Sequence, residues 1–410
     1  MKYRVVANKP KEPAMLSEEN FVVNPLPKIV FSRGASQELN SHIKSFGKNA
    51  ALVVTDKNLA ASGVLQPILD ALKTANLRVD VFDGVEPNPT DLNVEAGAER
   101  LKALGDACVV PIGGGSSIDC GKSIALLAAN GGTVEALQAP VSALVAGSDN
   151  DDEEASRPAD AQAPIIAVPT TAGTGSETNG ACVITNTRLG RKTYVIHPSI
   201  MPAFAVLDPD LTIGLPAYPT ATCGYDVLTH AIEAYVSLGA CNYSDPIALD
   251  AIARVGKYLR KAVEDGSDIE ARSQMLLASA RAAIAFAVAG LGSVHGTGHA
   301  ISARLNAAHG QTLATMLPHV MEYNMPKRAD KYAEVAKVLA PSGPATAAGA
   351  IDAALQLRSD IGIDKSISEL GGEEDLLPAL IEDAIVDSVN FTNPRPVDAA
   401  AFEALYRAAW

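Results

Sequence analysis

ACVVPIGGGSSIDCGKSIALLAAN, residues 107–130, sets the architecture of the first half of the chain. An apolar run ends in three glycines, and a run of helix formers follows, so the stretch reads as strand, tight turn and helix. Glycines let backbone approach a ligand closely, and the free N–H groups and positive end of a helix hold anionic oxygens. The turn GGGSSID (113–119) is not G-x-G-x-x-G, so the ordinary dinucleotide fingerprint is missing. Ser116 and Asp119 also have the spacing of a capping box, and a plain capped turn explains the stretch as well as a phosphate cradle does.

Working outward, the same alternation recurs. ALVVTDKNL (51–59) reads as a buried strand with its exit turn, LQPILDALKTANL (65–77) as an amphipathic helix, and LRVDVFD (77–83) as a second strand. EPNPT (86–90) is a Pro-rich loop, and DLNVEAGAERLKALG (91–105) is a helix closed by Gly. PIIAVPTTAGTGSE (164–177) is a strand entering a loop of hydroxyls and glycines, and FAVLDPDLT (204–212) is the last strand. Strands alternating with helices imply a parallel sheet covered on both faces. Two Gly-rich loops in such a half favour a nucleotide. The acidic stretch SDNDDEEASRPAD (148–160) breaks the pattern. It lacks the Gly that a calcium loop needs and reads as a solvated insertion.

From about Pro216 onward Ala- and Leu-rich segments with helical periodicity take over, at 216–237, 245–264, 268–289, 311–323, 329–340, 344–360, 374–388 and 397–409. The expected architecture is an α/β N-terminal nucleotide-binding domain with a parallel sheet, residues 1–213, and an all-α C-terminal domain, residues 214–410. A chain of 410 residues is too long for one ordinary core, which agrees with two domains. A net charge of −14 argues against nucleic acid as a partner. The N-terminal MKYRVVANKPKEP has no apolar signal region, and Ala282 to Val294 is too short to span a bilayer, so no membrane partner is expected. The five cysteines show no C-x-x-C spacing and read as reduced thiols of a cytoplasmic protein.

The chemistry centres on YDVLTHAIEAY (225–235). Asp226 and His230 stand four residues apart in good helix formers, so both side chains leave one helix face. Alone, such a pair is more often a surface pair. VHGTGHAISARLNAAHG (294–310) reverses that preference, because it holds His295, His299 and His309, three of the chain's seven histidines. Asp226, His230 and two of those three make a four-ligand site for Fe²⁺ or Zn²⁺ that leaves a position for a substrate oxygen. Glu233 lies on the same stripe and is a further donor.

GGGSSIDCGK, PTTAGTGSE, LDPDLTIGLP, DVLTHAIEAYVS and HGTGHA with NAAHG, in this order, resemble the iron-containing (group III) alcohol dehydrogenase family, from about residue 25 to the C-terminus. The resemblance implies the dehydroquinate synthase-like fold, with metal and NAD in a cleft between the two domains. It implies Asp226, His230, His295 and His309 as metal ligands, His299 on the nicotinamide side, and a structural Glu233. It implies cofactor roles for Asp56, Asn88, Gly114, Gly115, Ser116, Asp119, Thr170, Thr171, Thr174 and Lys192. Asp56 follows the first strand, where a carboxylate accepts from ribose hydroxyls and repels a 2′-phosphate, so NAD is expected over NADP. Two departures bear on the substrate. AFAVAGLG (285–292), with Phe286 a candidate substrate contact, lacks the polar pair, Ser-Asn, that the family often has before the AGLG-like turn, and Arg304 stands between the last two ligands where an aromatic is common. If Arg304 faces the cleft, its guanidinium favours an anionic aldehyde. The expected activity is hydride transfer between nicotinamide and a small alcohol or aldehyde, in a homodimer or higher homo-oligomer. The competing readings are a metal-dependent lyase or cyclase on the same scaffold and a nucleotide-binding sensor without catalysis.

Overall fold

The computed structural model describes residues 21–137 and 163–410, and the acidic segment 148–160 lies outside the described residues. The first half is a six-stranded parallel sheet. Its strands are β1 (Lys28–Phe31), β2 (Ala50–Val54), β3 (Arg78–Phe82), β4 (Cys108–Gly113), β5 (Ile166–Pro169) and β8 (Phe204–Leu207), in the order β1-β8-β5-β4-β2-β3. β2, β4, β5 and β8 are buried throughout and the edge strands β1 and β3 are not, as expected when helices cover both faces. The covering helices are α1 (Leu39–Ser45), α2 (Lys57–Ala61), α3 (Gln66–Thr74), α4 (Asp91–Leu104) and α5 (Gly115–Asn130). From β2 the chain moves outward to β3, and from β4 it moves the other way to β5. The carboxyl ends of β2 and β4 therefore flank a switch point, where open sheets of this kind bind ligands.

One element was not foreseen from the sequence. Between β5 and β8 lies an antiparallel hairpin of β6 (Ala181–Asn186) and β7 (Arg191–Ile196). It carries Lys192 and Tyr194.

The second half is helical: α6 (Ala217–Val236), α7 (Ser244–Glu264), α8 (Ile269–Ala289), α9 (Ser293–Leu305), α10 (His309–Leu339), α11 (Ala347–Asp360), α12 (Leu377–Ile385) and α13 (Ala399–Ala408). Helix α6 is buried on nearly every face, the condition of a central core helix. The segments expected at 311–323 and 329–340 are one long element with a break at Arg328, where φ is −141°. Helix α9 was not expected. It turns 112° from α8, and its own glycines hide its apolar period. No single helix among the described residues is long and apolar enough to cross a membrane.

Candidate active site

Helix α6 presents Asp226, His230 and Glu233 along one stripe, and all three are buried. Helix α9 crosses them with His295 and His299, and His309 opens α10 after the Asn306 turn, which is left-handed at φ 49°. Three imidazoles surround one carboxylate oxygen. His230 Nδ1 is 3.4 Å, His295 Nε2 3.7 Å and His309 Nε2 4.0 Å from Asp226 Oδ1. Asp226 Oδ1, His230 Nδ1, His295 Nε2 and His309 Nδ1 are buried atoms with no hydrogen-bond partner. Buried polar atoms are normally paired, so the orphans of Asp226, His230 and His295, whose ligand atoms lie within 4.8 Å of one another, fit a metal ion, and His309 brings its other nitrogen, Nε2, toward the same carboxylate oxygen. Burial opposes a charge on Asp226, but the three histidines outweigh it and hold its pKa below the usual range. Burial pushes the pKa of His230 down to about 4 and that of His309 well below its ordinary value, so both rings are neutral and have lone pairs to donate.

Glu233 supports the cluster from behind. Its Oε2 binds His295 Nδ1, and its Oε1 accepts from the Val294 amide at 2.7 Å. Burial opposes a charge on His295, yet Glu233 and Asp226 raise its pKa to about 9. The pair of carboxylates thus calls for positive charge at this point. Phe286 packs on His230, with ring centroids 4.7 Å apart.

Asp226, His230, Phe286, His295, His299 and His309 line one end of a cavity of about 230 Å³. Asn88, Gly115, Ser116, Asp119 and Thr174 line its other part, and Lys192 and Tyr194 reach in from β7. Helix α5 begins at Gly114 with no side-chain cap and no acidic residue in its first turn, which leaves its first amides for an anion. Burial pushes the pKa of Lys192 down to about 8, against the pull of Asp226, Asp119 and Asp387.

The chain matches the iron-containing alcohol dehydrogenase model over residues 26–209 and the Fe-containing alcohol dehydrogenase family, C-terminal, model over residues 220–410. The chain belongs to the iron-containing alcohol dehydrogenase family. It is 36% identical to the NAD-dependent methanol dehydrogenase of Bacillus methanolicus, over 92% of this chain and 96% of that protein. It is 37% identical to the 1,3-propanediol dehydrogenase of Citrobacter freundii, over 93% of this chain and 96% of that protein. The solved structure of a 1,3-propanediol oxidoreductase matches with a TM-score of 0.86 and 35% identity, over 96% of this chain and 100% of that one.

Not every expected residue stands in the cavity. Arg304 does not line it: its guanidinium grips Asp383 with both ends, Nε at 2.7 Å and one terminal nitrogen at 3.1 Å, on the outer side of α9. This arrangement lends no support to the anion-anchor expectation, because five residues along the helix turn the Arg304 side chain away from His299. Asp56 caps α2, its Oδ1 accepting from the Asn58 and Leu59 amides. Asp119 lines the cavity, but both oxygens are engaged by protein, one by the Ser176 hydroxyl and the other by the Val183 amide at 2.9 Å. Thr170 joins the two loops through its amide, which donates to Gly113 O, and Thr171 packs against Gly114.

The sequence reading missed Tyr194, Asp387 and the segment DSVNFTN (387–393). This segment braces helix α9 and the turn before it. Asp387 holds His299, Thr392 donates to Leu291 O at 2.6 Å, and Asn393 accepts from the Ser293 amide. The approach is so close that a Cβ on Gly296 would meet Asn390 at 2.4 Å and one on Gly290 would meet Thr392 at 2.5 Å. The glycines of GLGSVHGTGH were the only trace of this brace in the sequence.

Proposed function

We propose that this chain is an NAD(H)-linked, metal-dependent alcohol dehydrogenase and aldehyde reductase, with Asp226, His230, His295 and His309 as metal ligands. The observation that carries the reading is one cavity with uncapped helix amides in one part and, in another, the converging orphaned atoms of Asp226, His230 and His295 with His309 beside them. The family and its NAD-dependent relative support the cofactor and the metal.

A divalent ion, Fe²⁺ or Zn²⁺, supplies a Lewis acid toward the alcohol or carbonyl oxygen, and NAD supplies the hydride acceptor. The chain's own residues position and shield. Glu233 fixes the ring of His295 through Nδ1, so its Nε2 faces Asp226. Phe286 and Val389 cover the reacting end with apolar surface and limit water there. The α5 amides near Gly115 and Ser116 hold the diphosphate. Asp56 keeps one carboxylate oxygen for a ribose hydroxyl, and this favours NAD over NADP.

The division at residue 213 is supported by the two family models, which end and begin at residues 209 and 220. We read the protein as a homodimer: edge strand β1 leaves Ile29 and Phe31 exposed, a surface suited to a second copy. Five free cysteines, four of them buried, support a reducing cytoplasmic setting.

The test is turnover by metal-reconstituted protein, with a panel of small primary alcohols and aldehydes, followed by NADH absorbance. Stoichiometric NADH formation from an alcohol is expected. Substrate loss without net NADH would favour a lyase or cyclase, and NAD binding without any turnover would favour a sensor.

A further inference from the structure

Three donors meet on one half-buried carboxylate just behind the cavity, where it lines a second pocket. Asp387 Oδ2 lies 2.7 Å from His299 Nδ1. Asp387 Oδ1 accepts from the Tyr194 hydroxyl at 2.9 Å and from the Val389 amide at 3.1 Å. A carboxylate only accepts, so the proton on the Asp387–His299 bond sits on Nδ1. A neutral imidazole protonated at Nδ1 has a bare Nε2. That atom makes no hydrogen bond to the described residues, and His299 lines the cavity.

We propose that Asp387 is a positioning residue that, with Tyr194, holds His299 in the tautomer whose bare Nε2 faces the cavity as a hydrogen-bond acceptor. The proposal rests on the reading of this cavity as a dehydrogenase site. An acceptor here selects hydroxyl groups, of the alcohol or of the cofactor ribose, over carbonyls.

The charges support the assignment. Burial opposes a charge on Asp387, but His299 and the bonds from Val389 and Tyr194 outweigh it and keep its pKa low. Burial and then Asp387 push the pKa of Tyr194 far above its ordinary value, so it stays a donor. Burial lowers the pKa of His299, which favours the neutral ring.

The surroundings separate this role from plain packing. His299, Tyr194 and Lys192 also line a second pocket, of about 420 Å³, behind the wall. On that side space, not a packed core, faces the ring, so hydrogen bonds fix its direction. Tyr194 comes from β7 of the α/β half, and Asp387 from the brace of the helical half. The ring is therefore held where the two halves meet.

Asp387→Asn gives a sharp test because the pattern of donors dictates which way the amide turns. The Tyr194 hydroxyl and the Val389 amide both need an acceptor at the Oδ1 position, so the Asn oxygen stays there. Its NH₂ then faces His299 Nδ1, which must become the bare nitrogen, and the proton moves to Nε2. The measurement is ¹⁵N NMR of the histidine rings in protein reconstituted with Zn²⁺, with the His299 signal assigned from His299→Gln. The wild type should show a bare Nε2 and Asp387→Asn a protonated one. Asp387→Asn should also lower kcat by about 10- to 100-fold, the usual effect of removing a carboxylate that orients a working histidine, with bound metal unchanged. Tyr194→Phe should keep the wild-type tautomer and lower kcat about fivefold or less, the scale of one neutral hydrogen bond. A protonated Nε2 in the wild type, or an Asp387→Asn protein with wild-type tautomer and kcat, would overturn the proposal. If Asp387→Asn does not fold or loses metal, the wild-type spectrum alone decides. A wild type that turns over no alcohol would sink the dehydrogenase reading instead, and the tautomer would still stand or fall on its own spectrum.

Discussion

At the α/β end of the cavity the working groups are backbone amides, positioned by glycines and an uncapped helix, whereas at the helical end they are side chains held by other side chains. The carboxylates near the first end serve the protein itself: Asp56 caps α2, and Asp119 ties α5 to the Ser176 and Val183 segment. The carboxylates of the second end serve histidines: Glu233 holds His295 and Asp387 holds His299. The two ends should therefore fail differently. An added methyl group breaks a backbone cradle, and a lost imidazole or its supporting carboxylate breaks a side-chain cluster.

The largest effect is expected at the helical end. His230→Ala and His309→Ala each remove a proposed ligand and should lower metal affinity by at least about 100-fold, beyond the 10- to 100-fold typical of an outer partner. Glu233→Gln should fall within that outer-partner range, because it leaves the ligand but loosens its ring. His299→Ala should keep the metal while slowing turnover. Metal content after equilibration with a competing chelator measures all four. Loss of metal in His299→Ala together with retention in His309→Ala would invert the assignment.

At the α/β end Gly115→Ala is the counterpart. The new Cβ would lie 2.5 Å from Thr174 Cγ2 and 2.7 Å from its hydroxyl, so the second loop must shift. Overpacking of this kind costs about 1–3 kcal/mol, and we expect NAD affinity to fall about tenfold with metal binding untouched. Calorimetric titration with NAD would test it. A variant that loses metal as well would show that the two ends are not independent.

A smaller effect belongs to Glu177 in the Thr/Gly loop. It is 1% exposed, its Oε1 has no partner, and burial pushes its pKa up to about 7, partly opposed by Lys122. Between its ordinary value of 4.5 and about 7 the folded state keeps a proton that the unfolded chain has released. Stability should therefore fall as pH rises through this window, by about 3 kcal/mol or less. Glu177→Gln cannot release that proton. Thermal unfolding of both proteins across the window should show a decline that the variant lacks; parallel curves would remove Glu177 as its source.

The sequence announced the two ends unequally. Buried parallel strands read as apolar runs, and the i,i+4 pair on α6 and the three clustered histidines stand out in any helix, so the sheet and the cluster were legible. Helix α9 was not, because Gly296 and Gly298 interrupt the apolar period that marks a helix; they are there for Asn390 and Leu313 to approach its backbone. The brace DSVNFTN left no signal of its own, since its first two residues fall in the segment 374–388 that reads as helix and its role lies in contacts with distant residues. Tyr194 and Asp387 come from distant elements and meet only in the fold. Asp56 and Asp119 stand beside the two Gly-rich loops, where local pattern allows a cap; that Asp119 is engaged by Ser176 and Val183 depends on residues about sixty positions away.

The smallest expected effect is the most direct check on how the helical end treats charge. Arg304 and Asp383 form a bidentate pair at side-chain exposures of 41% and 22%, outside the cavity. Exposed pairs of this kind contribute at most about 1 kcal/mol. Arg304→Leu should therefore change stability by no more than that, and it should leave kcat/KM for an anionic aldehyde and for a neutral one of similar size in the wild-type ratio. Lys192 remains as the cation that lines the reacting cavity, and burial already weakens its charge. If Arg304→Leu selectively lowers kcat/KM for the anionic aldehyde, the guanidinium must release Asp383 and swing inward when substrate binds. The helical end would then gain a mobile charged anchor, and the contrast with the fixed backbone cradle would widen.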